Sequence, residues 1–203
     1  MNFPSKVLER AVEEISELPG IGRKSALRLA LHLLKQPKTQ GLALSEAIRH
    51  LVSDIQYCKK CHNFSDDEVC DICSNEYRQG ELLCIVEDVR DVMAIENTNK
   101  FKGKYWVLGG KISPMEGVGP HQLNIEGLEQ KLREEPIKEV IFALSATMEG
   151  DTTVYYIYKK LKKFEVQFSN IARGIAVGDE LEYADEISLG KSIINRVPYD
   201  ETA

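Results

Sequence analysis

Four cysteines fall within sixteen residues: Cys58-Lys-Lys-Cys61 and then, after eight intervening residues, Cys70-Asp-Ile-Cys73. Each C-x-x-C knuckle presents two thiolates from one tight turn. Two knuckles at this separation match the donor set of a closed tetrahedral zinc site. With sulfur at all four positions the ion has no open coordination site, so its role is structural. The segment around the knuckles holds few large apolar residues, and metal binding of order 10–16 kcal/mol supplies the folding energy that burial does not. The competing readings are disulfides, which a reducing compartment disfavours, and a redox pair. His62 competes as a ligand by type but reads as an exposed neighbour. Cys84 lies apart in the apolar run Leu82–Val86 and reads as a small buried core residue.

A second constellation is suited to holding an anion. Gly20 and Gly22 separate two stretches of helical periodicity, and Arg23, Lys24 and Arg28 follow directly. Glycines let a backbone approach a ligand closely. A helix N-terminus adds free N–H groups and a partial positive charge, and a phosphate satisfies both. The pattern lacks the third glycine and the preceding strand of a dinucleotide fingerprint. Gly190-Lys191-Ser192 has only the tail of a Walker A loop, because Asp185 stands where the first glycine belongs. What remains is a helix-hairpin-helix, which grips sugar-phosphate without reading bases. The plainer alternative is an αα-turn with solvated cations.

Carboxylates form the third candidate group. Glu87 follows the apolar run Leu82–Val86, and Glu149-Gly150-Asp151 follows a later one, Val140–Leu144. Acids converging from neighbouring strand ends could hold Mg2+. The alternative is exposed strand-end acids serving solubility or a basic partner surface.

The elements that must position these groups change character along the chain. Val7–Leu18 and Ala26–Leu34 carry helical stripes, broken by Pro19-Gly20. From residue 82 strands alternate with helices. Strands are expected at Leu82–Val86, Tyr105–Leu108, Val140–Leu144 and Val166–Ile171. Helices are expected at Val89–Glu96, from an Asn124 cap through Glu135, and at Thr153–Phe164, with a Gly/Pro loop over Lys111–Leu123. That alternation implies a mostly parallel sheet covered on both faces, with ligands at the carboxyl ends of its strands. The layout resembles the Toprim fold of topoisomerases and primases, which pairs a strand-end Glu with a later Asp-x-Asp. Here that pair is Glu149-x-Asp151, so one member is substituted.

The chain has 203 residues and a formal net charge of −6, which excludes a uniform coat of positive charge. Its charge is uneven, however. From Gly20 to His50 six cations stand against Glu46 alone. An acidic protein with one basic face can meet nucleic acid through that face, modestly and with strong salt dependence. No apolar run approaches a membrane span and no signal-peptide core is evident, so a cytoplasmic, nucleoid-associated location is expected. Lys159, Lys160, Lys162 and Lys163 form a late cation run, read as a solvated helix face or the lining of a DNA path.

The order of parts is an N-terminal helix-hairpin-helix, a small four-cysteine zinc finger, a Toprim-like α/β domain and a short C-terminal assembly segment. It resembles the RecR family of bacterial recombination mediators over nearly the whole chain. The resemblance is carried by LPGIGRKSALRLALHLL, the two knuckles, Leu82–Asp91, Val107–Pro120, Met148–Asp151 and Ile171–Asp185. It implies domains at residues 1–56, 57–78, 79–172 and 173–203. It further implies a non-catalytic accessory protein that works with RecO, and in some bacteria RecF, to load RecA on gapped DNA coated by single-strand-binding protein. Lys24 and Arg28 would contact DNA, with Arg23, Gly20 and Gly22 beside them. Glu87, Glu149 and Asp151 would face RecO. One structural Zn2+ per chain is implied, and Mg2+ at the acids would not be catalytic. Assembly would be a dimer or a tetrameric ring. The stretch Leu181–Asp185 resembles the family's Walker B-like segment and, lacking a Walker A loop, reads as a strand and turn used in assembly. Departures include Asp66, Asp67 and Glu68, which make the finger's outer loop acidic. The rival class is a Toprim-type Mg2+-dependent nuclease or phosphotransferase, and a third reading is a hub that binds RecO and never touches DNA.

Overall fold

The computed structural model describes residues 3–198, and the chain divides into two compact units, Met1–Ile55 and Gln56–Ala203. Residues 199–203, the end of the C-terminal segment, lie outside the described residues.

The first unit is helical: α1 (Lys6–Ser16), α2 (Arg23–Lys35) and α3 (Lys38–Ser53). Ser5 caps α1 through its hydroxyl, which accepts from the Leu8 N–H. Val12 packs between Ala26 and Ala30, and these three are the fully buried residues of the hairpin. Small alanines on α2 let α1 approach closely. The helix α3 is not among the elements expected from the pattern. None of its residues is buried, and Leu42, Ile48, Leu51 and Val52 are each more than half exposed. Its apolar residues therefore have no inner face to serve within the chain.

The second unit begins with the finger: the antiparallel pair β1 (Gln56–Tyr57) and β2 (Phe64–Ser65), then the single turn α4 (Asp71–Ser74). The remainder is a parallel sheet with helices between its strands. Its elements are β3 (Gln79–Val86), α5 (Val89–Asn97), β4 (Gly103–Val107), α6 (Gly127–Glu134), β5 (Glu139–Ala143), α7 (Met148–Leu161), β6 (Gln167–Asn170) and α8 (Glu186–Ile194). Strand order is β4-β3-β5-β6, every pair parallel. The apolar run in β3 serves both faces. Leu83 and Ile85 join α6 and α7 residues Leu128, Leu132, Ile157 and Leu161, while Cys84 and Val86 join Val92 of α5. Continuous apolar strands are what a sheet covered on both sides requires.

Two helix starts differ from expectation. Asn124 does not cap α6, which begins at Gly127. Its side-chain amide instead donates to the Val107 carbonyl (3.1 Å), and its own carbonyl accepts from Trp106 Nε1 (2.5 Å). α7 starts at Met148 rather than Thr153, so Glu149 and Asp151 sit in a helical first turn instead of a loop. The tail likewise is no strand: Leu181–Tyr183 is a 3-10 turn, and the Asp185 carboxylate accepts from Ser188 N–H to cap α8.

Candidate functional site

The four expected cysteine ligands converge. Their sulfurs lie within 4.8 Å of one another, and among the described residues they are the one such group of His, Cys, Asp or Glu side chains. The backbone shapes both knuckles. His62 N–H donates to Cys58 O (2.9 Å), with His62 itself left-handed at φ 64°, and Ser74 N–H donates to Cys70 O (3.0 Å). Cys70 N–H also points at Cys58 Sγ (3.3 Å), a donor aimed at a thiolate. None of the four is in a disulfide, and all are at most 5% exposed. Cys61 and Cys70 share a 3.5 Å sulfur contact that drives their pKa values in opposite directions, Cys61 up and Cys70 down. Four buried thiols so close cannot all ionise unless a cation offsets their charge, so the set fits Zn2+. Cys84 stands apart in the sheet, where burial pushes its thiol up to about 12.

The finger is fastened to β4. Val107 N–H donates to Cys61 O (2.9 Å), and the buried Lys131 ammonium donates to Lys60 O (3.3 Å) and to Glu135 (2.8 Å). His62, expected to be exposed, is half-buried and meets Trp106 edge-on at 4.6 Å.

In the first unit, Gly20 is left-handed (φ 79°) and turns the chain, with Ile21 N–H donating to Leu18 O (3.0 Å). Gly22 is extended and caps α2 without a side chain. Ala26 N–H bonds Gly22 O (3.0 Å), which leaves the N–H groups of Arg23, Lys24 and Ser25 ahead of the first helical bond without an intrahelical acceptor. A Cβ on either glycine would meet nothing within 4 Å. The expected cations separate into two sets. Arg23 pairs with Glu13 of α1 (3.3 Å). Lys24 and Arg28, four residues apart, have no ion pair among the described residues. With Leu27, Leu31 and Lys35 they border a groove of about 390 Å3.

Glu87 ends β3, and Glu149 and Asp151 open α7 after β5, but each has its own neighbour. Glu87 Oε1 accepts from Ser145 N–H (2.6 Å), bridging the two strand ends. Glu149 is held below the usual carboxylate range by its own backbone N–H, then by Thr147, with Lys111 adding charge. Asp151 accepts from Arg173 Nη2 (2.7 Å), which lowers its pKa and ties α7 to the tail. The convergence expected for a shared Mg2+ is therefore not what the side chains display. Sequence reasoning does not single out Arg173 or Lys111. Each is an isolated cation in a loop, and only the fold brings it to an acid.

The glycine of Glu149-Gly150-Asp151 explains the placement of this turn. A Cβ at Gly150 would lie 2.0 Å from the Ser145 carbonyl oxygen. Only a glycine lets α7 begin against the end of β5, where Thr147 Oγ1 accepts from Gly150 N–H (3.2 Å). The side chain of buried Thr153 then accepts from Ile112 N–H (2.9 Å) and donates to Glu149 O (2.7 Å).

Comparison with known proteins accounts for each part in turn. Residues 8–52 match the RecR helix-hairpin-helix, 55–75 the RecR four-cysteine zinc finger domain, 81–172 the Toprim domain and 174–197 the RecR C-terminal region. Curated relatives called "Recombination protein RecR" include that of Flavobacterium johnsoniae, 60% identical over 202 residues, covering 100% of this chain and 98% of the relative. That of Bacteroides thetaiotaomicron is 58% identical over 200 residues, with 98% of each chain covered. That of Amoebophilus asiaticus is 57% identical over 199 residues, covering 98% of this chain and all of the relative. No helix is long and apolar enough to cross a membrane among the described residues. With a helix-hairpin-helix, a four-cysteine finger and a Toprim sheet matched in this order and relatives aligned end to end, the chain belongs to the RecR family of DNA recombination and repair proteins.

Proposed function

We propose that the chain is a non-catalytic DNA clamp and adaptor. It would act with RecO, and with RecF where that partner is present, to help load RecA on gapped DNA coated by single-strand-binding protein. One observation carries the DNA-contacting part: Gly22 is a glycine that the fold does not require. Its φ of −80° suits any residue and its Cβ position faces open space, beside free helix-start amides and two cations with no ion pair among the described residues. A phosphate seated on those amides explains both the bare backbone and Lys24 and Arg28. Arg23, engaged by Glu13, contributes charge at one remove.

Assembly supports the same reading. A groove of about 560 Å3 lined by Val7, Leu8, Leu33, Leu34 and Leu42, beside the uncovered α3, is a contiguous apolar surface of the kind that marks protein contacts. One hairpin per chain binds weakly, and a dimer or a ring of four would gain by effective concentration. Glu87, Glu149 and Asp151 supply the acidic face offered to a basic partner such as RecO. The enzyme reading would need these carboxylates to share an ion, whereas Glu87 and Asp151 are engaged by Ser145 N–H and Arg173.

The test is a pair of variants in a DNA-retention assay across salt concentrations. Lys24→Gln with Arg28→Gln should lower the salt slope on duplex DNA by about 1.8 and abolish retention at physiological salt. Gly22→Ala, which the fold tolerates, should weaken binding without changing the slope. Unchanged affinity in both would remove the hairpin from the DNA contact.

A further inference from the structure

We infer that the solvent face of α7 is a second DNA contact, one that takes single strands by stacking bases on Tyr155 and Tyr156 while Lys159, Lys160, Lys162 and Lys163 meet the phosphates. The placement follows from helix phase. Thr153, Ile157 and Leu161 are buried against the sheet. At about 100° per residue, Tyr155, Lys159 and Tyr156 share an arc of about 100° facing away from that stripe, half-buried Lys160 lies at its edge, and Lys162 and Lys163 follow in the turn after the helix.

A dipole argument alone does not account for this face. Cations near the end of α7, and Glu149 with Asp151 at its start, complement the helix macrodipole. That pattern does not call for aromatic rings in water on the same arc, yet Tyr155 is 60% exposed and Tyr156 38%. Tyr158 is as exposed as Tyr156, at 41%, but its ring packs edge-on against Phe168 at 5.2 Å and so has a structural use. Lys159 Nζ lies over the Tyr155 ring, 5.3 Å from its centroid, so one face already carries a cation and a base would stack on the other. Of the four lysines, Lys163 pairs with Glu129 (2.6 Å), and the other three have no ion pair among the described residues. Exposed aromatics interleaved with unpaired cations are the combination that binds single strands without sequence preference, because every base has a π-face. A duplex hides those faces, so the surface should distinguish the two forms of DNA.

The inference rests on reading the chain as a DNA-binding protein but not on the hairpin contact. The full-length, zinc-loaded chain is titrated with labelled oligodeoxythymidylate and with a duplex of equal length. Tyr155→Ala with Tyr156→Ala should weaken single-strand binding about tenfold and leave duplex binding unchanged. Lys159→Gln with Lys162→Gln should lower the single-strand salt slope by about 1.4. A strand carrying 5-iododeoxyuridine should cross-link to Tyr155 or Tyr156 under ultraviolet light. These residues are on the surface, and circular dichroism with zinc content checks that the variants fold. Unchanged single-strand affinity in the tyrosine variant, or an equal loss on duplex, overturns the inference. So does loss of binding to an acidic protein with single-strand affinity intact, which would reassign the face. If the Lys24 and Arg28 substitutions change nothing while the α7 substitutions weaken single-strand binding, only the hairpin reading fails.

Discussion

Chelating the zinc, or replacing Cys70 with serine, is expected to unfold residues 56–75 while leaving the parallel sheet folded, and the single tryptophan should report it. The finger's buried cluster is its four cysteines, packed by partly buried Val69 and Ile72. Without a cation those sulfurs are buried, mutually repelling groups, so the metal's binding energy of order 10–16 kcal/mol is what holds the segment together. The sheet has its own apolar clusters on its two faces, to which the finger adds Ile72 on one and the His62 edge at Trp106 on the other, so most of its burial survives without the finger. Trp106 sits at the boundary, 5% exposed, with His62 on its edge and Lys131 Nζ 5.6 Å from its ring. Loss of the knuckle removes His62 and the Lys60 carbonyl that orients Lys131, so Trp106 emission should shift to the red as zinc leaves. Helical dichroism should change little. Cys84→Ser is the control, since that thiol lies in the sheet and the variant should keep its zinc. A Cys70→Ser protein that retained full zinc and unshifted emission would contradict the four-sulfur site.

The sequence discloses most where the chemistry is local. Two knuckles eight residues apart announce their ligand set, because the turn inside each knuckle fixes two sulfurs before any tertiary structure forms. Gly20 and Gly22 announce a turn for the same reason. The run Leu82–Val86 shows a strand buried on both faces. What stays hidden depends on distant parts of the chain. The α6 start differs from the expected one because Asn124, a good cap by type, is drawn to the Val107 carbonyl seventeen residues earlier in the chain. α7 begins earlier than its pattern suggests because Gly150 reads as a helix breaker. Only the nearness of the Ser145 carbonyl, known once β5 is placed, turns it into a requirement. Helix α3 does carry a helical stripe, Leu44, Ile48, Leu51 and Val52 at i, i+4, i+7 and i+8, so it is legible by period; what the sequence does not show is that this stripe stays exposed instead of facing a core. The Asp151–Arg173 pair links α7 to a loop twenty-two residues on, and no periodicity encodes it.

Among glycine-to-alanine substitutions in the Toprim-like part of the chain, Gly150→Ala is the one expected to cost most. The new methyl would collide with backbone rather than with the end of a movable side chain, so the first turn of α7 must lift from β5. Overpacking of this kind costs about 1–3 kcal/mol, and a backbone neighbour that cannot rotate away places this case at the upper end. The lift also breaks specific bonds: the Thr147 cap, and the contact of Thr153 Oγ1 with Ile112 N–H. Glu149 and Asp151 move with the turn, so the proposed acidic face is disturbed, while Glu87 stays bound to Ser145. Urea unfolding should show the full destabilisation in the second unit. Gly190→Ala gives the opposite sign. It lies inside α8 with open space at its Cβ position, and alanine there should stabilise the helix by about 0.5–1 kcal/mol. Equal stability changes in the two variants would refute the close approach at Ser145. The Gly150 variant also separates the two proposed functions. Capture of a basic partner such as RecO should fall, because the acids have shifted. Salt-dependent retention of DNA by Lys24 and Arg28, in the other compact unit, should remain as it was.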